Sequence, residues 1–330
     1  MVLSIGEHRH ALFDVYIFAF TAPGRPMFTP SSAILRTIQR RLAAFVALAS
    51  FLLFASCSAI HLSYNNADIA IRWKVQEYFD LQGDQENDFK ARLMGFHAWH
   101  RAEELPRYEA LFHAAGERVA DGVSAEDIAW ATQSIRERYR LLLIRAAADA
   151  APMLATLTTS QLDHLARQFS DVNRKFAREH LIGKEDKQRK DRLKRMRETM
   201  ADWIGDLTPE QELRVAGMIR ASPSLASFRL EERRQIQAQF MDIVRVQRDP
   251  RLLAVRLQEL VDSIEARRNP AYQQAIQQYE SALGHMLVDL DQTLSPAQRQ
   301  HVIRKFTDLS TDFRTLAVKG RAPAKAAVKG

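Results

Sequence analysis

Apolar residues recur at steps of three and four along most of the chain after residue 60. One such stripe runs from Tyr272 to Leu290, and another runs from Val302 to Leu316. Steps of three and four place side chains on one face of an α-helix, so each stripe predicts an amphipathic helix. Because only a short turn separates these two stripes, they predict an antiparallel α-hairpin.

Further stripes of the same kind predict helices elsewhere in the chain. They include the residues from Leu253 to Ile264 and those from Phe89 to Phe96. The second stripe lies on a long predicted helix, in which the later sequence LPRY at Leu105 predicts a kink. No alternating strand pattern competes with them. We therefore predict an all-α fold of about ten helices, arranged as an elongated multi-helix bundle or an array of antiparallel helical hairpins.

A short motif marks where several of these helices begin. It reads VSAED at Val123, LTTSQ at Leu157, LTPEQ at Leu207 and LSPAQ at Leu294. An apolar residue, a hydroxyl side chain and an acid or glutamine three positions later form a capping box with a hydrophobic staple. The predicted capping pairs are Thr158 with Gln161, Thr208 with Gln211, and Ser295 with Gln298. Their unequal spacing argues against a regular solenoid.

The only cysteine, Cys57, lies two residues after an apolar stretch of fourteen residues, Leu42 to Ala55. Three arginines precede this stretch. A positive segment, a short apolar segment and small residues form the pattern of a secretory signal peptide. Ala55 and Ser56 directly before Cys57 resemble the lipobox of bacterial lipoproteins. A buried structural cysteine inside a short membrane anchor is the alternative.

The lipobox resemblance implies cleavage before Cys57 and lipid on its thiol. Residues 1–56 are then a signal peptide region, most simply starting at Met27. Ser58 follows the cysteine where an aspartate would favour retention in the inner membrane. We therefore expect a lipid-anchored protein on the periplasmic face of the outer membrane, with the inner membrane the less favoured site.

Charge and composition divide the rest of the chain. The charged segment 183–200 predicts a helical linker between an N-terminal helical part, 57–182, and a C-terminal part, 201–318. Residues 319–330 predict a disordered basic tail. The formal net charge of +7 falls to +4 without residues 1–56, so the balance does not favour nucleic-acid binding.

His97, His100 and Glu104 form the densest polar group, at positions i, i+3 and i+7 of one predicted helix. Imidazole and carboxylate groups at such spacing can ligate zinc or act as acid and base. A packed, hydrogen-bonded histidine pair is the favoured interpretation, because His100 continues an apolar stripe. No phosphate loop, nucleophile elbow or HExxH motif occurs, so we predict neither an enzyme nor a cofactor.

Several separated stretches, from LSYNNADIAIRWKVQEYFDLQGDQE at Leu62 to LSPAQRQHVIRKFTDL at Leu294, resemble a family of uncharacterised Gram-negative lipoproteins. The resemblance implies a helical envelope protein and brings no activity. The LTxxQ motifs are similar to those of Spy-type periplasmic chaperones, and YFDLQGDQE faintly resembles a signature of lipase-specific foldases. We expect a non-enzymatic scaffold that binds an envelope partner, or alternatively a client-holding chaperone.

Overall fold

The computed structural model describes residues 55–319, with side chains from 60 to 318. The predicted signal region up to residue 54 and the basic tail from residue 320 lie outside the described residues. The described part is all-α, as predicted. Its helices are α1 Ala55–Asn65, α2 Ala67–Phe79, α3 Asp84–Trp99, a π-helical segment His100–Glu104, α4 Leu105–Asp121, α5 Ala125–Ala155, α6 Thr159–His180, α7 Glu185–Ile204, α8 Pro209–Ala221, α9 Ala226–Val246, α10 Pro250–Ser263, α11 Pro270–Asp291 and α12 Pro296–Lys319.

The capping motifs lie at helix starts, where the sequence places them. The Thr158 hydroxyl accepts from the backbone N–H of Gln161 at 3.3 Å. In return, the side-chain Oε1 of Gln161 accepts from the backbone N–H of Thr158 at 2.9 Å. The same reciprocal pair occurs at Thr208 and at Ser295. Each box satisfies backbone N–H groups that have no partner inside the helix.

Helices that pack together run antiparallel, and most partners are distant in sequence. Helix α3 packs on α5, with Gln85 beside Thr156 at one end and Trp99 beside Arg145 at the other. Helix α6 packs on α9 in the same sense, and α5 packs on α10. The fold is therefore an array of antiparallel helices, in agreement with the predicted fold class.

The most extensive helix contact joins α4 to α12. It runs from Arg101, which donates to the Leu316 carbonyl at 2.9 Å, to the Val119 carbonyl, which accepts from Arg299 at 2.6 Å. A Cβ at Gly116 would lie 3.2 Å from Cβ of Phe306, so glycine allows the backbones to approach closely.

The prediction that the last two helices, α11 and α12, pack on each other as an antiparallel hairpin is wrong. Helix α12 packs along α4, whereas α11 packs on α8 and α5. The physical reason is that α4 offers α12 a small residue at the closest approach and aromatic partners beside it. Phe112 lies 5.3 Å from the ring of Phe313 and 6.1 Å from that of Phe306.

Buried apolar residues form two large clusters and one small one. The first cluster is built from α2, α3, α5, α6, α9 and α10, and the second from α4, α7, α8, α11 and α12. The third joins Leu105 and Leu316 to Ile60 and Tyr64 of α1. The first two clusters do not follow the predicted division at residues 183–200, because α9 and α10 pack on N-terminal helices.

The charged segment 183–200 lies in α7. Its first half is exposed, whereas Met196 and Met200 are buried in the second cluster with Ile204. The charged residues at the start of α7 therefore face water, as the sequence indicates. The methionines of the last turns make the helix part of the core.

A reciprocal pair of glutamines joins the starts of α8 and α12, and we call it a glutamine clasp. Gln211 Nε2 donates to Gln298 Oε1 at 3.1 Å, and Gln298 Nε2 donates to Gln211 Oε1 at 2.9 Å. Each amide also donates to the carbonyl that precedes the other motif, at Thr293 and Asp206. The capping glutamines thus satisfy their own helix and tie it to a second one.

The starts of α3 and α6 carry a second glutamine clasp with the same geometry. Gln161 Nε2 donates to Gln85 Oε1 at 2.7 Å and to the Asp80 carbonyl at 2.8 Å, while Gln85 donates to the Thr156 carbonyl. The sequence LQGDQ at Leu81 has the apolar-to-glutamine spacing of the other motifs. Sequence reasoning missed Gln85 because a hydroxyl cap is absent from this version.

We expect Gln211→Ala and Gln298→Ala each to lower the free energy of unfolding by about 2 kcal/mol, since each leaves several hydrogen-bonding partners of the clasp unsatisfied. The double variant should lose about 1 kcal/mol less than the sum, because both changes remove the same contact. Denaturant unfolding with a constant m-value measures this. Gln278→Ala, at an exposed position of α11, is the matched control. Strictly additive losses would contradict the glutamine clasp.

Candidate functional site

A π-helical segment lies between α3 and α4, directly before the LPRY sequence at which the kink is predicted, and we call it the corner. The Leu105 amide donates to the His100 carbonyl, five residues back. Pro106 follows within the first turn of α4 and has no N–H for the hydrogen-bond ladder. The wider turn keeps the chain helical past the proline, and such segments are common at functional sites.

His100 is buried at this corner among aromatic rings. Its Nδ1 lies 2.9 Å from the Tyr64 hydroxyl of α1, and its ring lies 5.5 Å from that of Tyr108. Burial lowers the pKa of His100 to about 3, and the nearby His97 and Arg101 act in the same direction. The ring is therefore neutral at physiological pH, where it links α1 to the end of α3.

His97 also contacts Tyr64, with their ring centroids 4.7 Å apart. Burial lowers its pKa, and Arg101 adds to the effect. His97 also lines a surface pocket of about 290 Å³, together with Asp68, Met94 and Arg101. This histidine therefore points toward a different environment from that of His100.

Glu104 is almost fully buried, with 1% of its surface exposed. Its Oε1 accepts from Arg107 at 2.6 Å and lies 3.6 Å from Arg138 of α5. A buried carboxylate needs such cationic partners, because charge is costly in a low-dielectric interior. Glu104 thus ties the π-helical corner to α5.

The three residues predicted as a metal or acid–base candidate do not converge. His100 faces Tyr64, His97 faces the surface pocket, and Glu104 faces two arginines. Between residues 55 and 319, no group of three or more His, Cys, Asp and Glu side chains could hold a metal ion. The corner is thus built as a packed polar junction.

Cys57 lies near the start of α1. None of the helices in the described part of the chain has the length and apolar character needed to cross a membrane. The predicted capping residues lie far from the corner in sequence, at the helix starts and in the two glutamine clasps. They position helices and do not line a site with His97 and His100.

A different feature has the shape of a binding site: a half-open cavity of about 190 Å³, which we call the apolar groove. Its walls come from α4, α5, α11, α12 and the end of α7. Apolar and aromatic side chains dominate the lining. The lining residues are Leu111, Phe112, Ala115, Arg118, Val119, Val123, Asp127, Ile128, Trp130, Ala131, Ile135, Met200, Trp203, Ile204, Leu287, Leu290, Asp291, Leu294, Val302 and Phe306.

The charged side chains of the apolar groove are paired with one another or with neighbours. Arg118 pairs with Asp127 and lies over the ring of Trp130, 4.2 Å from its centroid. Asp291 accepts from Arg299 at 2.9 Å and from the Val123 amide at 3.0 Å. The lining therefore offers mainly apolar contact. Of its ion pairs, Arg118 with Asp127 reaches the exposed rim, whereas Asp291 is buried.

Sequence reasoning missed the apolar groove, although its lining residues belong to recognisable stripes. Leu111, Ala115 and Val119 recur at steps of four on α4, as do Asp127, Ala131 and Ile135 on α5. Such stripes are usually buried by a neighbour. Only the tertiary structure shows that residues of α4 and α5 line one half-open cavity and are not fully covered by a neighbour.

Comparison with known proteins gives one match. A model of a family of unknown function, DUF6279, matches residues 77–273. No curated protein and no solved structure matches the chain.

The neutral state of His100 predicts a specific loss of stability in acid. The unfolded chain takes up a proton at this histidine below about pH 6.5, whereas the folded chain does so only near pH 3. The contribution of neutral His100 to the free energy of unfolding is therefore complete above about pH 6.5 and is lost as the pH falls toward 3. At about pH 5 the loss from His100 is about 2 kcal/mol.

We expect His100→Gln to remove this part of the pH dependence, measured as unfolding free energy at about pH 7 and about pH 5. His113→Gln is the matched control, because His113 is exposed on α4. The same pH dependence in His100→Gln and the wild type would show that His100 is not held neutral.

Proposed function

The chain belongs to this family of unknown function, and we propose that it is a non-enzymatic helical interaction protein that works through its apolar groove. The groove accepts the apolar face of an amphipathic helix from a partner protein of the bacterial envelope. The observation that carries the proposal is a half-open apolar cavity whose lining charges are already paired. Concave apolar sites with a few polar groups are the usual form of binding sites.

The length of the apolar groove suits a helical partner. From Leu111 to Val119 along α4, and from Asp127 to Ile135 along α5, the walls extend for about 12 Å. A bound helix that presents anchors at i, i+4 and i+7 spans about 10 Å. Trp130, Trp203 and Phe112 supply the large aromatic surfaces that dominate binding energy at such contacts.

The proposal includes the location of the protein. Lipid on Cys57 would hold the chain on the periplasmic face of the outer membrane, with its helical body in the periplasm. The lipobox resemblance supports this placement. Neither a cofactor nor nucleic acid is part of the proposed role, since the near-balanced charge after residue 56 gives no basis for the latter.

A client-holding chaperone is the second candidate, and the pairing of the rim charges favours it. Because Arg118 and Asp127 satisfy each other, the apolar groove selects for apolar surface more than for a polar sequence. Such a surface could hold many unfolded chains. A dedicated scaffold instead takes one partner from membrane extracts.

We expect Ala131→Glu to weaken binding at the apolar groove, because it places a charge in the apolar lining. The probes are the dye 1-anilinonaphthalene-8-sulfonate and reduced, unfolded α-lactalbumin. For the wild type we expect dye fluorescence that a synthetic amphipathic helical peptide displaces. We expect the Kd of the peptide to rise at least about tenfold in Ala131→Glu, corresponding to about 1.4 kcal/mol.

Val255→Glu is the matched control, since Val255 is an exposed apolar residue on α10, away from the groove lining. It should bind like the wild type. Suppression of α-lactalbumin aggregation by the wild type, lost in Ala131→Glu, selects the chaperone. Equal dye and peptide binding by Ala131→Glu and the wild type would refute the groove as the working surface.

We expect Cys57→Ser to leave an unprocessed precursor without palmitate label, because the chain has no other thiol to accept lipid. Intact-mass measurement of the membrane-extracted wild type should show cleavage before Cys57 and added acyl mass. Ser58→Ala is the matched control and should be processed normally. Palmitate label retained in Cys57→Ser would overturn the anchoring proposal.

A further inference from the structure

Helices α1 and α2 carry a row of exposed apolar side chains. Leu62 is 66% exposed, Ile69 55% and Trp73 64%. Ile69 and Trp73 are four residues apart and therefore lie on one face of α2. Asn66 interrupts the two helices for a single residue, so the row is nearly continuous along the chain.

The opposite side of α2 already packs on the protein. Ala67, Ile71, Val75 and Tyr78 are buried in the first core cluster. An ordinary surface helix has one apolar face toward the core and a polar face toward water. Helix α2 has apolar residues on both, so the outer row has no role in the core.

The surroundings of the row have the character of a membrane interface. Lys74 Nζ lies 4.9 Å from the centre of the Trp73 ring, which gives an aromatic ring and a cation side by side. Tryptophan and lysine of this kind favour the headgroup region of a bilayer. Met94 of α3 is 64% exposed and lines the same surface pocket as Asp68, next to Ile69.

We propose that the row Leu62, Ile69 and Trp73 lies on the lipid surface and fixes the orientation of the protein on its membrane. This inference rests on the proposed lipid anchor at Cys57. Cys57 precedes Leu62 by five residues, a rise of about 8 Å along a helix. Lipid at that position would bring the start of the row to the bilayer surface.

Helix α1 is held firmly on the body of the protein, so a lipid at Cys57 would restrict the orientation of the whole body relative to the membrane. His61 Nε2 lies 3.1 Å from Asp312 of α12, and Arg101 donates to the Asn65 side chain at 2.8 Å. Tyr64 contacts His100 at 2.9 Å. With α1 fixed in this way, a membrane that holds Cys57 can cover the row only if α1 and α2 lie along its surface.

The test uses the lipidated wild type, with acylation verified by intact mass. The protein is reconstituted into vesicles of phosphatidylethanolamine and phosphatidylglycerol whose acyl chains carry bromine, which quenches tryptophan at contact. We expect part of the tryptophan emission to be quenched, and we expect the quenching to be strongest when the bromine lies near the headgroup. Trp73→Phe should remove the quenched part.

Trp203→Phe is the matched control, because Trp203 lies in the apolar groove and its loss should leave the quenched part intact. Equal quenching of wild type and Trp73→Phe, in protein shown to be acylated, overturns the proposal and leaves the anchor standing. A dimer in detergent with Trp73 unquenched in vesicles overturns it in favour of a second copy. Protein without acyl mass overturns both the anchor and this inference.

Discussion

The antiparallel contact between α4 and α12 is the interaction on which the other features depend. It is close at Gly116, where a Cβ would lie only 3.2 Å from Cβ of Phe306. The paired helices form one wall of the apolar groove through Phe112 and Phe306. At their other end, Leu105 and Leu316 form the third core cluster, which receives Ile60 and Tyr64 of α1.

Polar groups are buried in this protein where helices must be joined. The two glutamine clasps link helix starts that are far apart in sequence, and each amide makes bonds on both of its ends. At the π-helical corner, Glu104 meets Arg107 and Arg138, while His100 stays neutral beside Tyr64. Satisfied polar contacts of this kind specify which helices pair, whereas apolar stripes alone accept many partners.

Among the residues that the structure describes, the apolar groove and the row on α1 and α2 are two apolar surfaces that differ in shape. The apolar groove is concave, with aromatic walls and an ion pair at its rim, which suits a helix of a partner. The row on α1 and α2 is a convex strip beside the proposed anchor, which suits a lipid surface. In the proposed arrangement, the membrane sets the orientation of the body and the groove receives the partner.

The sequence by itself determined the helices and their starts, because these depend on local chemistry: periodic apolar residues and capping side chains. It therefore predicted Thr158, Thr208 and Ser295 as caps and placed His97, His100 and Glu104 on adjoining turns. Only the tertiary structure decided that α12 packs along α4, that Gln85 completes a glutamine clasp, and that His100 is buried beside Tyr64 and Tyr108. These outcomes depend on close approach at Gly116, on bonds between residues more than 70 positions apart, and on a π-helical turn, none of which helical periodicity encodes.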